Sequence, residues 1–282
     1  MKKRLDIHEG MILSVAVFLA LAVFVPGGGL SDFFLTLLSI ATFLFGIFVG
    51  FTIADRHTRL RAIRRELREN DSRVLDIYRL SSLFGKKVHD VTRKNIDEWI
   101  TATIDYRLTE FYLAVPKLGK LYDYVLTLKP KTSKQQVAFS QMIDVLENIG
   151  LSVKRVRYRV TDKVSRFEWY TILILGGIIL FCLFAMNANT YASIIVVVLL
   201  STSLVTIILV LRDLDSLLWK EQKWIWEPLC DLFHELKLLP YIPDEVIYLE
   251  RASFPKGMKY RYVNYPNPYP SIEGKKIEIK TT

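Results

Sequence analysis

The sequence predicts an all-α membrane protein with four transmembrane helices. A cytoplasmic helical bundle is expected between spans two and three, and an amphipathic helix plus an irregular or short-strand tail after span four. Three observations lead there. Apolar residues make up 51% of the 282 and charged residues only 24%, and mean hydropathy is +0.24, which is greasier than a soluble chain needs to be. The apolar residues gather into blocks of membrane-crossing length. All 38 Lys and Arg lie on one side of those blocks.

The first block runs from Met11 to Val25 and can reach residue 28 or borrow Ile7 to Gly10. The others run from Phe33 to Ala54, Trp169 to Met186 and Tyr191 to Leu211, which is 22, 18 and 21 residues. A helix rising 1.5 Å per residue needs about 20 to cross the hydrocarbon. Lys2, Lys3 and Arg4 ahead of an apolar core resemble a signal peptide, but Asp6 and Glu9 dilute the charge and no small-residue cleavage site follows. An uncleaved span is therefore expected.

The loops set the orientation. Neither the 26–32 connection (PGGGLSD) nor the 187–190 connection (NANT) holds a Lys or Arg. Residues 1–10 hold 3, residues 54–167 hold 24 and residues 212–282 hold 11. By the positive-inside rule both termini and the central segment are cytoplasmic. The expected organisation is a membrane hairpin over 1–54, a cytoplasmic helical domain over 55–167, a second hairpin over 168–211, and a cytoplasmic amphipathic helix and tail over 212–282. The net charge of +9 comes from the central segment, with 24 cations against 14 acids.

Within 55–167 no turn cluster marks either membrane junction, so spans two and three are expected to continue as cytoplasmic stalks. Leu60, Ile63, Leu67, Val74 and Ile77 form one apolar stripe; Ala138, Met142, Val145, Ile149, Val153, Val156, Val160 and Val164 form another, running through Arg166. Thr132 or Ser133 can cap the second, with Gln135 and Gln136 placed for a capping box. Ile96, Trp99, Ile100, Ile104 and Leu108 suggest a further helix, and Leu118, Leu121, Tyr122 and Val125 another. Asp213 to Leu238 reads as an amphipathic helix interrupted at Pro228. Trp169, Trp219, Trp224 and Trp226 suit the headgroup level as interface anchors. Beyond Pro240, Lys259–Tyr262 and Lys276–Lys280 alternate and could pair as strands.

The chemistry of an enzyme is missing from the pattern. His8, His57, His89 and His234 are scattered, Cys182 and Cys230 form no ligand spacing, and no phosphate-binding glycine loop follows a strand. No catalytic residue, metal ligand or cofactor is expected. The spans carry no ionisable residue at depth, which argues against a proton-coupled carrier.

Two features can carry function instead. On span two, Asp32, Thr36, Ser39, Thr42, Gly46 and Gly50 share one face, opposite Leu37, Leu44, Phe48 and Phe51. The small face can pack against another helix through Gly46-x-x-x-Gly50, or one of the two faces can line a pore. Just beyond the span, Arg59, Arg61, Arg64, Arg65 and Arg68 can contact anionic headgroups, each worth about 1 kcal/mol, or ring a vestibule that concentrates small anions. Arginines emerging directly from a membrane helix are poorly placed for nucleic acid, which is not an expected partner.

Three stretches carry a family resemblance: GFTIADRHTRL (Gly50 to Leu60), ENDSRVLDIYRL (Glu69 to Leu80) and LRDLDSLLW (Leu211 to Trp219). With the layout of spans they resemble bestrophins, and more closely the bestrophin-like membrane proteins of bacteria. The resemblance implies a multi-pass inner-membrane homo-oligomer, a pentamer in bestrophins proper, with span two lining an anion pathway. Its aromatic neck carries over to Phe43, Phe48 and Phe51, although Phe43 lies with the small residues. The pore-lining candidates are then Thr36, Ser39, Thr42, Phe43, Gly46, Phe48, Gly50 and Phe51. The expected function is an oligomeric passive anion channel; the alternative is a non-conducting scaffold or sensor that recruits cytoplasmic partners.

Overall fold

A computed structural model describes residues 7–25, 27–29, 31–217, 223–248, 255–267 and 269–282. The helices are α1 (Ile7–Phe24), α2 (Asp32–Ser81), α3 (Lys86–Asp105), α4 (Val115–Leu126), α5 (Ser133–Thr161), α6 (Arg166–Ala185), α7 (Tyr191–Ser216), α8 (Lys223–Glu235) and the short α9 (Asp244–Tyr248). Three strands, β1 (Tyr241–Pro243), β2 (Lys259–Asn264) and β3 (Lys276–Thr281), and two short 3-10 turns (Ser82–Phe84 and Phe111–Ala114) complete the described elements. The chain divides into two compact units. One comprises residues 1–60 and 163–216, the other 61–162 and 217–282.

The first unit gathers the four apolar stretches, each in a helix long and apolar enough to cross a membrane. The first span does borrow residues 7–10. Gly10, Ser14, Phe18 and Ala22 recur every four residues on its buried face, and α1 makes its close helix contact with α7. A Cβ on Gly10 would sit 2.7 Å from Leu209 Cδ1, and Ser14 Oγ turns back to donate to the Gly10 carbonyl at 2.9 Å. Backbones of apolar helices approach closely where side chains are this small. Phe45, Val49, Ile172, Ile179, Val198 and Leu204 fill the remaining core.

The two interhelical loops of this unit lock together. Asn187 is fully buried; its amide donates to the Ala22 carbonyl at 2.8 Å and its oxygen accepts from Ser193 Oγ at 2.8 Å. Gly28 N–H donates to the Ala185 carbonyl at 2.8 Å. At Gly27 a Cβ would lie 2.1 Å from the Asn187 carbonyl oxygen, so only glycine fits.

Span two continues without a break, as expected: α2 is 50 residues long. Span three does not. The stalk ends at Thr161 and α6 starts afresh at Arg166. Ser165 caps α6, accepting from Glu168 N–H at 3.1 Å while the Glu168 carboxylate accepts from Ser165 N–H at 2.7 Å. This capping box closes off the N-terminal amides of α6 and favours a start there over continuation.

In the second unit Thr132 caps α5 as expected, accepting from Gln135 N–H at 3.2 Å. Gly85, at φ 98°, turns the chain between α2 and α3. The core is built from Ile63, Ile77, Ile96, Leu121, Met142 and Ile149, all essentially sealed from solvent. One carboxylate crosses it: Glu66 accepts from Ser152 Oγ at 2.8 Å and Arg159 Nη1 at 3.1 Å, with Arg155 at 3.8 Å. Burial pushes the Glu66 carboxyl upward, but the bonds from Ser152 and Arg159 and the two positive charges outweigh it and hold it below the usual range.

The tail corrects two expectations and bears out a third. Helix α8 runs through Pro228 without interruption; the helix that precedes it ends at Ser216. The proline only removes one N–H, and the packed face of α8 (Ile225, Trp226, Leu232, Phe233) outweighs that loss. Trp226 is 1% exposed in this core, so its indole meets protein instead of headgroups. Trp169 is partly buried against the first unit's core, while Trp219 and the Trp224 side chain lie outside the described residues. Finally, the tail is an ordered sheet: β2 and β3 pair antiparallel, the pairing the alternation suggested, and β1 adds in parallel along β2.

Two charged clamps hold that sheet on α3. Arg261 grips Asp97 with both terminal nitrogens at 2.7 Å and donates Nε to the Leu239 carbonyl at 3.0 Å. Asp105, 3% exposed, accepts from Tyr241 Oη at 2.7 Å, Tyr265 Oη at 2.8 Å and Lys275 Nζ at 2.5 Å. Burial, then the Asp105 charge, pushes both phenols far above their usual range, so both stay protonated donors.

Candidate functional site: the open sector of α2 and its arginines

Over its apolar stretch helix α2 buries one narrow stripe in the first unit, Ala41, Phe45 and Val49, with Leu38 and Ile53 partly buried beside it, and leaves its outer sectors open. All eight pore-lining candidates, Thr36, Ser39, Thr42, Phe43, Gly46, Phe48, Gly50 and Phe51, are exposed in the single chain. Gly46 and Gly50 meet nothing within 4 Å, so among the described residues no helix packs against these two glycines. Thr36 and Ser39 donate their hydroxyls to the carbonyls of Asp32 and Leu35, each at 2.9 Å. Each hydroxyl oxygen keeps lone pairs turned outward, and an otherwise apolar helix thereby gains a weakly polar stripe. Phe43, 67% exposed, stands among these small residues, and Phe51, 74% exposed, lies away from them. Near the end of the apolar stretch, Ile47, Phe48, Phe51, Thr52, Asp55, Arg56 and Glu168 line an open recess of about 330 Å³.

The structure divides the five arginines between two roles. Arg59 is not a vestibule cation: it is 6% exposed and ties to the end of α7. Its Nη1 donates to the Asp215 carbonyl at 3.3 Å and lies 3.6 Å from the Asp215 carboxylate. Arg56, 7% exposed, reaches the same carboxylate at 3.5 Å, and Asp215 Oδ1 also accepts from the Val164 N–H at 2.9 Å. One acid thus joins the middle of α2 and the end of α7 to the residue two before α6. Removing two guanidiniums from water is tolerable only with such a counter-charge at hand.

Arg61, Arg64, Arg65 and Arg68 are the second group. Their spacing of three, one and three places them along one side of α2, where with Glu69 and Ser72 they line an open groove of about 450 Å³. Arg61, Arg65 and Arg68 are exposed and Arg64 is half-buried. Burial, and next the Arg68 charge, lowers the pKa of Arg64, the signature of cations crowded together. Among the described residues no cluster of His, Cys, Asp or Glu has the arrangement of a metal site.

Two site features were not legible beforehand. The Arg56–Arg59–Asp215 knot joins two of the stretches that carried the family resemblance, GFTIADRHTRL and LRDLDSLLW, and their recurrence as motifs was the available signal. The other is a cavity of about 90 Å³ in the second unit, walled by α2, α3, α5 and α8, with Asp71 at its edge. An acid at that turn of α2 gave no sign of it.

Four membrane-length helices, an exposed polar stripe on one of them and an arginine row beyond it define a helical membrane protein with an unfilled surface sector. A family model, the Bestrophin-like domain, matches residues 11–216. The chain belongs to the bestrophin-like family. Neither a curated protein nor a solved structure matches it.

Proposed function

We propose that the protein is a passive anion channel of the inner membrane, built from several copies arranged with α2 around a shared axis. The observation that carries this reading is the open sector of α2. A helix whose hydroxyl and glycine face stays open among the described residues is accounted for when copies of that face surround a wet path. A repeat of about 100° per residue brings Arg61, Arg64 and Arg68 into the sector already occupied by Thr36, Ser39, Gly46 and Gly50. Anions drawn to the arginine row then arrive at the mouth of the polar stripe, and Phe43, on the same face, supplies an apolar constriction. The cation asymmetry of the loops supports a cytoplasmic side for the arginine row and both termini. Arginines outside the ring face anionic headgroups. No catalytic role is assigned to any residue.

The test is a planar-bilayer recording of purified protein under a chloride gradient. Joint reversal of Arg61, Arg65 and Arg68 to Glu should cut anion-over-cation selectivity by about tenfold, since three charges change sign at each subunit's entrance. No conductance in the native protein, or unchanged selectivity after reversal, defeats the proposal. The rival, a non-conducting scaffold, draws support from β3, whose Ile277 and Ile279 stand 51% and 67% exposed. It requires a stable protein partner on that strand and a silent bilayer.

A further inference from the structure

We infer that the second unit holds a binding site for a small amphiphilic carboxylate, its aliphatic tail in the cavity among α2, α3, α5 and α8 and its head at Arg64 and Asp71. The cavity, about 90 Å³, is walled by apolar side chains that include Trp99, Ile104, Leu108, Phe111, Leu229 and Leu232. It is smaller than the roughly 150 Å³ apolar void that accepts benzene and suits a tail of about four carbons. Its polar edge comes from α2 alone: Arg64, Arg68, Asn70 and Asp71. The parts contributed by α3, α5 and α8 contain no titratable group.

Charge selects the head. Two guanidiniums, Arg64 and Arg68, line the same edge as one carboxyl that accepts no hydrogen bond among the described residues. Burial, opposed by Arg68, has pushed that carboxyl up to about 7. Near neutral pH Asp71 is thus readily protonated, and a protonated carboxyl can donate to an incoming carboxylate while Arg64 supplies the charge. An arriving anion favours the protonated form further, so binding takes up a proton and tightens as pH falls. An ammonium head would meet two like charges and show the opposite pH dependence. This pairing of apolar wall with convergent polar groups is what small-molecule sites are made of, and it stands whether or not the protein conducts.

The experiment titrates pentanoate, pentylamine and pentanol against the full-length protein in nanodiscs, with ligand-detected NMR as readout. Pentanoate should bind saturably, and its affinity should rise about tenfold from pH 8 to pH 6. Asp71→Asn should retain binding but lose the pH dependence. Arg64→Gln should weaken binding by about tenfold. Thr103→Phe, which fills the cavity from its half-buried wall, should abolish binding while the arginine groove stays intact. Saturable pentylamine binding that strengthens with rising pH, equal binding of all three probes, pentanoate binding that survives Thr103→Phe, or no saturable pentanoate binding would each overturn the inference.

Discussion

Replacing Asp215 by Ala separates the two roles the arginines have been given. In the folded chain Asp215 stands 3.5 Å from Arg56 and 3.6 Å from Arg59 and also accepts the Val164 N–H. The two guanidiniums are 8% and 4% exposed at the side chain, so neither can turn to water for the missing charge. Removing one partner of a buried ion pair costs about 3–5 kcal/mol, and Asp55, the other acid on Arg56, is 64% exposed and screened. A protein of this size should lose about 10 °C in melting temperature for that cost. Thermal unfolding in detergent, followed by tryptophan fluorescence, reads it. Arg61→Ala, on the exposed row, should stay within about 0.5 kcal/mol of the native protein. If D215A melts like the native protein while R61A melts far below it, the assignment of Arg59 to structure and Arg61 to the open row is wrong.

Two further outcomes follow from the second unit. The Asp71 carboxyl rises from an ordinary 3.8 to about 7 on folding, so the folded chain holds its proton more tightly than the unfolded chain. Its contribution is harmless below pH 4 and becomes increasingly destabilising up to pH 7. Asp71→Asn should therefore match native stability at pH 4 and exceed it at pH 8 by up to about 4 kcal/mol; equal melting curves at both pH values would contradict this. Asp105→Ala strands two phenols and the Lys275 ammonium, at a cost of about 3–5 kcal/mol. Limited proteolysis should then cut within 241–282 well before it cuts the helices, and an unchanged digestion pattern would count against the clamp.

What the sequence made legible follows from the range of the forces involved. Membrane-length blocks, the Thr132 cap and the β2–β3 alternation are local patterns, and each has its counterpart in the structure. The break before α6 was equally local, since Ser165 and Glu168 spell a capping box, but the apolar rhythm through Val164 masked it. Trp226 failed for a different reason. An indole that can face headgroups can also fill a core, and only its neighbours on α8 decide. Arg59 and Asp215 lie 156 residues apart, and no periodicity within either helix announces their meeting. The same holds for Arg261 on Asp97 and for the cavity beside Asp71, whose walls come from four helices.

The central claim is that the open small-residue sector of α2 turns toward the same sector on neighbouring copies. Single cysteines at Ser39 and Gly46, with Cys182 and Cys230 replaced by serine, test it most directly in native membranes. Cross-linking with a short bis-maleimide should give covalent dimers at both positions, one thiol per subunit allowing no higher species. A cysteine at Ile174, an exposed apolar position on α6, should give none. Monomers at Ser39 and Gly46 together with dimers at Ile174 would place the contact between copies on α6 and leave the α2 sector facing lipid.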